Sequence, residues 1–280
     1  MKLEQIIVRL STIVKGKPPV DAIQAAKANW QEFLPVITKL MDKFHEEGLT
    51  EQEDNLLFIG ILLLVEMQQY DQFEAFIALC DGDDEYAAPL GRLLGDSVTE
   101  GLSSYFYILA NGRHQPLEQL LLSQTCGEYI RNSALDAIFS QYESGQLPKN
   151  TLTALVDRLL VLYKEQDDFY LIGSLADLLI NYQWQTYQGA ILALHNENYI
   201  ESFSLSITSI EKWQAAGKNE GSLASGLVKK ELDVIKDIKR WICYQPVPQK
   251  PPVPKKDKNS HLTIKTLIPK HNALGEKEPG

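Results

Sequence analysis

Apolar residues between Glu128 and Leu160 recur at helical spacing in two successive blocks. In each block they fall on one face when the chain is wound at about 100° per residue. The two sets are Ile130, Ala134, Leu135, Ile138, Phe139 and Tyr142, then Leu152, Leu155, Val156, Leu159, Leu160 and Tyr163. Between them, Gly145 suits the left-handed position after a helix, and Pro148 suits the first turn of the next. The pattern predicts two antiparallel helices joined by a short turn at residues 144–148.

Comparable helix pairs recur along the chain. The first helix of each predicted pair is centred near Leu62, Phe106, Leu135 or Leu175, and successive centres lie about 30 to 45 residues apart, close to the range of HEAT-like repeats. A single helix pair cannot bury both of its faces, so neighbouring pairs are expected to stack. We therefore predict an all-α fold, a right-handed stack of antiparallel helix pairs that forms a HEAT-like α-solenoid.

The two ends of this array have their own patterns. Leu3 to Val14 reads as a first amphipathic helix, because Glu4 and Arg9 interrupt any signal-peptide core. The most apolar run, Leu56 to Val65, has half of the roughly 20 residues needed to cross a bilayer, so no membrane insertion is expected. A helix is predicted over Tyr199 to Trp213, and a long last helix from Leu227 to Ile242 is predicted to cap the array, which gives a repeat domain over residues 1–243.

Charge and composition change at residue 244. Residues 244–280 carry seven Lys, one Asp and two Glu, a net charge of +4, whereas the preceding 243 residues carry −14. The segment is rich in Pro and Lys and predicts a flexible tail. Within it, Pro251, Pro254, Lys255 and Lys256 belong to a P-x-x-P-x-[KR] sequence that is either a docking motif for aromatic grooves or a spacer.

Candidate chemistry is sparse. The acidic body disfavours nucleic acid, and no phosphate loop, dinucleotide fingerprint, zinc-protease helix or nucleophile elbow occurs. The three dispersed cysteines predict reduced thiols without a disulfide or zinc site. Cys126 and His114 are one conceivable Cys/His pair, and the acidic loop 81–85 departs from the calcium-loop pattern, which favours a solvated loop with helix-capping aspartates. We predict no catalytic residue, no metal and no cofactor.

Two sets of residues nevertheless stand out as candidate sites. Arg131 lies within the apolar arc of its helix and in its first turn, where a cation is unfavourable, so it needs compensation. It is predicted to pair with Asp96 or Glu100 of the preceding unit, or alternatively to bind an anion. The second set is an aromatic cluster, Tyr182, Trp184 and Tyr187, which either packs between units or contacts a partner.

Two segments carry a resemblance to a known family. Residues 95–100, GDSVTE, and 130–138, IRNSALDAI, with weaker matching from about Asn55, resemble a family of uncharacterised bacterial proteins, domain of unknown function 1186. The resemblance implies a core of HEAT-like helix pairs and brings no catalytic residue. Some members of that family end in a short cysteine-rich metal-binding motif. This chain has a Pro/Lys segment in that place.

These observations predict a non-catalytic scaffold or adaptor. The expected molecule is a monomeric cytoplasmic protein that binds another protein through its helical-repeat surface, an expectation drawn from fold analogy. One alternative is a secreted bacterial effector whose C-terminal tail is an export signal. Another is an enzyme with its site in an inter-repeat groove, which would need titratable groups with shifted pKa values lining one pocket.

Overall fold

The computed structural model describes residues 1–200, 205–215 and 226–245, and every regular element in these ranges is helical. Within them lie 15 α-helices and three short 3-10 turns, Tyr70–Gln72, Gln185–Tyr187 and Ile242–Tyr244. The α-helices are α1 (Leu3–Leu10), α2 (Val20–Ala28), α3 (Trp30–Glu46), α4 (Glu51–Glu66), α5 (Phe73–Cys80), α6 (Pro89–Leu94), α7 (Ser97–Glu100), α8 (Leu102–Ala110), α9 (Gln115–Leu122), α10 (Glu128–Glu143), α11 (Lys149–Glu165), α12 (Phe169–Asn181), α13 (Gln188–Asn196), α14 (Ile207–Ala215) and α15 (Val234–Ile238).

The helices pack in two rows. In the first row α4 contacts α8, α8 contacts α10, and α10 contacts α12; in the second, α3 contacts α5, α5 contacts α9, and α9 contacts α11. The four helices of the first row are those whose centres the hydrophobic pattern located. Helix α10 also packs against α9 and α11, so it contacts helices of both rows.

Local sequence sets the helix ends in the middle of the chain. Gly145 has φ 75° in the turn between α10 and α11, as predicted, because glycine adopts this left-handed conformation without steric cost. Asn111, at the end of α8, has φ 45° and also lies in the left-handed region. At the start of α4, Thr50 and Glu53 form a reciprocal capping box.

Helix α4 has a long buried stretch in the N-terminal half. Nine consecutive or nearly consecutive positions from Leu56 to Val65 are buried, and α4 contacts α1, α3, α6, α8 and α15. Gly60 allows the close approach of α3, since a Cβ there would lie 2.4 Å from the Ile37 side chain. Among the described helices, none is long and apolar enough to span a membrane.

The prediction of a long capping helix over Leu227 to Ile242 is wrong. The helix there is only α15, and it packs against α4. The Lys229 N–H donates to Ser104 Oγ at 2.9 Å, 125 residues earlier, and the Asp233 side chain caps Lys236 N. In a continuous helix the N–H groups of Lys229 and Lys236 would donate to the carbonyl groups four residues earlier, so both contacts interrupt such a helix. We call residues 226–245 the C-terminal return segment, because they pack on the N-terminal half of the fold.

The predicted helix over Tyr199 to Trp213 is shorter at its start, because the described helix α14 begins at Ile207 and residues 201–204 lie outside the described ranges. Residues 1–246 form one compact unit. The candidate docking residues Pro251, Pro254, Lys255 and Lys256 also lie outside the described residues, as does the segment of the export-signal hypothesis.

Candidate functional site

The C-terminal return segment and the N-terminal half enclose a cleft of about 690 Å³. This volume lies within the roughly 300–1,000 Å³ typical of ligand pockets. Helix α4 forms one wall, the α6–α8 segment a second, and residues 229–243 the third. The cleft therefore depends on a long-range contact between parts of the chain that are far apart in sequence.

Two glycines shape the α6–α8 wall. Gly95 follows α6 with φ 52°, a left-handed conformation that ends this helix before the single turn of α7. Gly101 separates α7 from α8, and a Cβ at this position would lie 2.6 Å from the Tyr105 hydroxyl oxygen. The absence of a side chain at Gly101 thus makes room for the buried Tyr105 ring in the wall of the cleft.

An aromatic stack joins the return segment to α4. The rings of Phe58 and Trp241 lie 5.1 Å apart between centroids with planes inclined by 19°. Both residues line the cleft, together with the apolar side chains Leu62, Leu93, Leu94, Leu232 and Val234. Stacked rings provide a rigid apolar surface, which is the kind of surface that forms the centre of protein-binding sites.

Charged groups of both signs surround this apolar surface. The acidic lining residues are Asp54, Asp96, Glu100 and Asp237, and the basic ones are Arg92, Lys229 and Arg240. Lys229 Nζ lies 3.4 Å from Asp237 Oδ2 at an exposed position. Arg92 is exposed and donates to the Ala87 carbonyl at 3.0 Å. A ligand in the cleft would meet both hydrogen-bond donors and acceptors.

The titratable groups with shifted pKa values in the cleft all shift toward the neutral form. Burial raises the pKa of the Asp54 carboxyl, and the positive charge of Arg92 acts in the opposite direction. Burial also raises the pKa of Tyr105 to about 12 and raises the pKa of the Cys243 thiol. A nucleophilic thiol needs a lowered pKa, so the chemistry of Cys243 is that of a neutral packing group.

The predicted site residues Asp96 and Glu100 lie at this cleft, but Arg131 does not contact them. Arg131 Nη1 instead pairs with Asp168 Oδ2 at 2.9 Å, with side chains 13% and 11% exposed, so the predicted pairing was wrong. Asp168 immediately precedes α12, and its Oδ1 accepts the Leu171 N–H at 3.1 Å. The compensation that Arg131 needs comes from the following unit, where a helix-capping carboxylate is already fixed in place.

The aromatic cluster is a packing element. Tyr182, Trp184 and Tyr187 are all buried, and the rings of Tyr182 and Trp184 contact Phe139 of α10 at 5.3 and 6.0 Å between centroids. The Tyr187 hydroxyl donates to Asp157 Oδ1 of α11 at 2.8 Å. These contacts join the α10–α11 pair to the α12–α13 pair. The interpretation of the three residues as a partner contact is therefore wrong, because their rings have no exposed face.

Asp84 of the acidic loop and the Cys126 thiol both make structural contacts. Asp84 Oδ2 accepts the Ile130 N–H at 3.0 Å and so caps α10 from another segment, as expected of a capping aspartate. Cys126 lies beside the Cys80 carbonyl, with Sγ 3.8 Å from its oxygen. Burial raises the pKa of the Cys126 thiol to about 12, which disfavours the nucleophile required by a Cys/His pair with His114.

Comparisons with known proteins identify a family. The family model described as "Protein of unknown function (DUF1186)" matches residues 1–245, so the chain belongs to this family. The match spans both rows of helices, the cleft and the return segment, whereas the resemblance drawn from the sequence covers somewhat more than a third of the chain. No curated protein and no solved structure matches the chain.

Proposed function

We propose that this DUF1186 protein is a non-catalytic scaffold, a HEAT-like helical solenoid that holds an extended segment of a partner protein in the cleft. The observation that carries the proposal is the combination of a stacked aromatic surface, Phe58 and Trp241, with surrounding charges of both signs. An extended peptide presents apolar side chains together with backbone donors and acceptors. It is therefore complementary to a lining of this kind.

The two rows of helices support the solenoid part of the proposal. Each unit contacts the next through equivalent helices, α4 to α8 to α10 to α12 in one row and α5 to α9 to α11 in the other. Stacked helix pairs of this kind present extended surfaces to partners. The three cysteines are free thiols, which suits the reducing cytoplasm.

The lining favours binding over catalysis. Of the groups in the cleft with shifted pKa values, Tyr105 and Cys243 are protonated at neutral pH, and they supply neither a general base nor an activated nucleophile. Asp54 has a carboxyl whose pKa burial raises, and it lies in the first turn of α4. Its carboxyl oxygens can accept a hydrogen bond from a backbone N–H of a bound peptide.

Selection of peptides from a displayed random library on the full-length chain tests the proposal. The selected peptides are then measured by calorimetry against Arg92→Ala and Arg240→Ala, which remove exposed charges at the cleft, and against Lys39→Ala as a matched control on α3. We expect each cleft variant to weaken binding by about 3- to 10-fold, while the control leaves it unchanged. Equal binding by all variants, or no selected peptide, would overturn the assignment of the cleft.

A further inference from the structure

A second surface lies where α10 packs against α12, and none of its residues lines the cleft. Tyr129 of α10 and Tyr170 of α12 are 41% and 38% exposed, although both are large aromatic side chains. Their rings form an edge-to-face pair with centroids 5.3 Å apart and planes at 69°. The two helices thus present one joined aromatic surface to solvent.

Each of these helices carries the same pattern. Tyr129 is followed seven residues later by Asp136, and Tyr170 is followed seven residues later by Asp177. Seven residues make about two helical turns, so each aspartate lies on the same face as its tyrosine and about 10 Å along the helix. Since α10 and α12 pack against each other, the two Tyr/Asp pairs form a single surface.

The charge of this surface is negative and unbalanced. Glu128, Asp136 and Asp177 form no ion pair with any described residue, whereas the nearby Arg131 is taken up by Asp168. The charges of Glu128, Asp136 and Asp84 also act on the Tyr170 hydroxyl, which places them around the aromatic pair. We call Tyr129, Tyr170, Glu128, Asp136 and Asp177 the tyrosine–carboxylate face.

Burial disfavours the charged form of these carboxylates, and neighbouring carboxylates add to this effect at Asp136 and Glu128. Burial, and next the neighbouring carboxylate of Asp177, raise the pKa of Asp136 to about 7. Burial, then the charges of Asp168 and Asp84, raise the pKa of Glu128, and burial raises that of Asp177. Asn181 donates to Asp177 Oδ2 at 2.8 Å, and the charge of Arg131 lowers the pKa of Glu128 in part. No described cation offsets the repulsion between Asp136 and Asp177, which a bound cation would relieve.

We propose that the tyrosine–carboxylate face binds a lysine- or arginine-rich segment of a partner protein. One basic side chain lies against the Tyr129 and Tyr170 rings, where a cation is attracted to the aromatic face. A second, about 10 Å away, lies between Asp136 and Asp177. In an extended chain of about 3.3 Å per residue, side chains two or four positions apart project from the same side, about 7 or 13 Å apart, and long basic side chains can adjust to the distance between the two positions. This surface is separate from the cleft, and the proposal stands or fails independently of the proposed function.

Binding of a fluorescent hexalysine peptide to the full-length chain, followed by anisotropy, tests the proposal. Tyr129→Ala should weaken binding about threefold, while Tyr129→Phe, which keeps the aromatic face, should retain it. Asp177→Asn should also weaken binding about threefold. Asp42→Asn on α3 is the matched control, because Asp42 is an exposed helical aspartate remote in sequence from the face, and it should have no effect.

The Asp42→Asn control distinguishes binding at this face from general electrostatic attraction of hexalysine to an acidic protein. Equal weakening by Asp42→Asn and Asp177→Asn would overturn the proposal, as would full binding by Tyr129→Ala or an absence of hexalysine binding. Tyr129 and Asp177 are exposed, so these variants are expected to fold. Arg92→Ala should leave hexalysine binding unchanged, which keeps a failure at the cleft distinct from a failure at this face.

Discussion

The cleft and the tyrosine–carboxylate face differ in how far apart in the sequence their residues lie. The cleft exists because the C-terminal return segment packs on α4 and α8, through contacts such as Lys229 N to Ser104 Oγ across 125 residues. The tyrosine–carboxylate face joins two helices, α10 and α12, that pack directly against each other. The cleft therefore depends on the C-terminal return segment, whereas the tyrosine–carboxylate face depends on the contact between α10 and α12.

The two surfaces also differ in charge. Four acidic and three basic side chains line the cleft, so their charges nearly cancel, whereas the charged residues of the tyrosine–carboxylate face are all acidic. A neutral mixed lining selects partners by shape and hydrogen bonding. A face of one sign selects them by charge and is sensitive to salt. Substitutions that damage one surface and spare the other can therefore test this comparison.

The largest effect is expected from Arg131→Met, which leaves Asp168 without its partner at the base of the tyrosine–carboxylate face. The pair is mostly buried, with the two side chains 13% and 11% exposed. Removing one member of such a pair strands the other charge, so we expect a loss of about 2–4 kcal/mol in the free energy of unfolding. Urea denaturation followed by circular dichroism measures it.

A second Arg–carboxylate pair provides the control. Arg158 Nη2 lies 2.8 Å from Glu118 Oε2 and also joins neighbouring units, but the Arg158 side chain is 55% exposed. Arg158→Met should cost less than about 1 kcal/mol. Similar losses for the two variants would show that burial does not decide the strength of the Arg131 pair.

Trp241→Ala is expected to have the next largest effect, and it acts on the cleft. The substitution removes the ring that stacks on Phe58, so the return segment loses its main aromatic contact with α4. We expect a loss of about 1–3 kcal/mol, since the ring is partly buried. Limited trypsin digestion should cut faster after Lys229 and Lys230, which lie in the return segment.

Phe169→Ala is the comparison variant for this effect. The Phe169 ring stacks on Tyr199 at 5.5 Å with planes at 21°, but it is exposed and lies at the α12–α13 end of the array. Its removal should leave cleavage after Lys229 and Lys230 unchanged. If Trp241→Ala also leaves that cleavage unchanged, the aromatic stack does not hold the return segment in place.

Local sequence patterns were sufficient to predict the central helices. The turn at Gly145, the start of α10 at Glu128 and the position of α12 around Leu175 follow from spacing and turn residues alone. Those elements are determined by residues that are near one another in the sequence. The DUF1186 match over residues 1–245 agrees with the resemblance drawn from residues 95–100 and 130–138.

The cleft could not be predicted in this way. The apolar stripe through Val234, Ile238 and Trp241 indicates a buried face, but it carries no information about which helix it meets. The same limit applies to Arg131. Its position in an apolar arc correctly required a buried counter-charge, yet several carboxylates satisfied that requirement in sequence, and only the packing of α12 selects Asp168.

The smallest of the expected changes is a stabilisation, by Asp136→Asn in the tyrosine–carboxylate face. Burial and the charge of Asp177 raise the pKa of Asp136 to about 7, whereas an unfolded aspartate titrates near 3.9. Between these values the folded protein holds a proton that the unfolded chain has released, so stability falls as pH rises through this window. Asn cannot ionise. We expect Asp136→Asn to stabilise the protein by about 1–2 kcal/mol at pH 8, after allowance for partial exposure, and to change little at pH 4. Urea denaturation at both pH values measures the difference, with Asp42→Asn as the exposed control. A stabilisation of equal size at both pH values would mean that the charge of Asp136 is not its cause, and the face would then lack the repulsion that distinguishes it from the cleft.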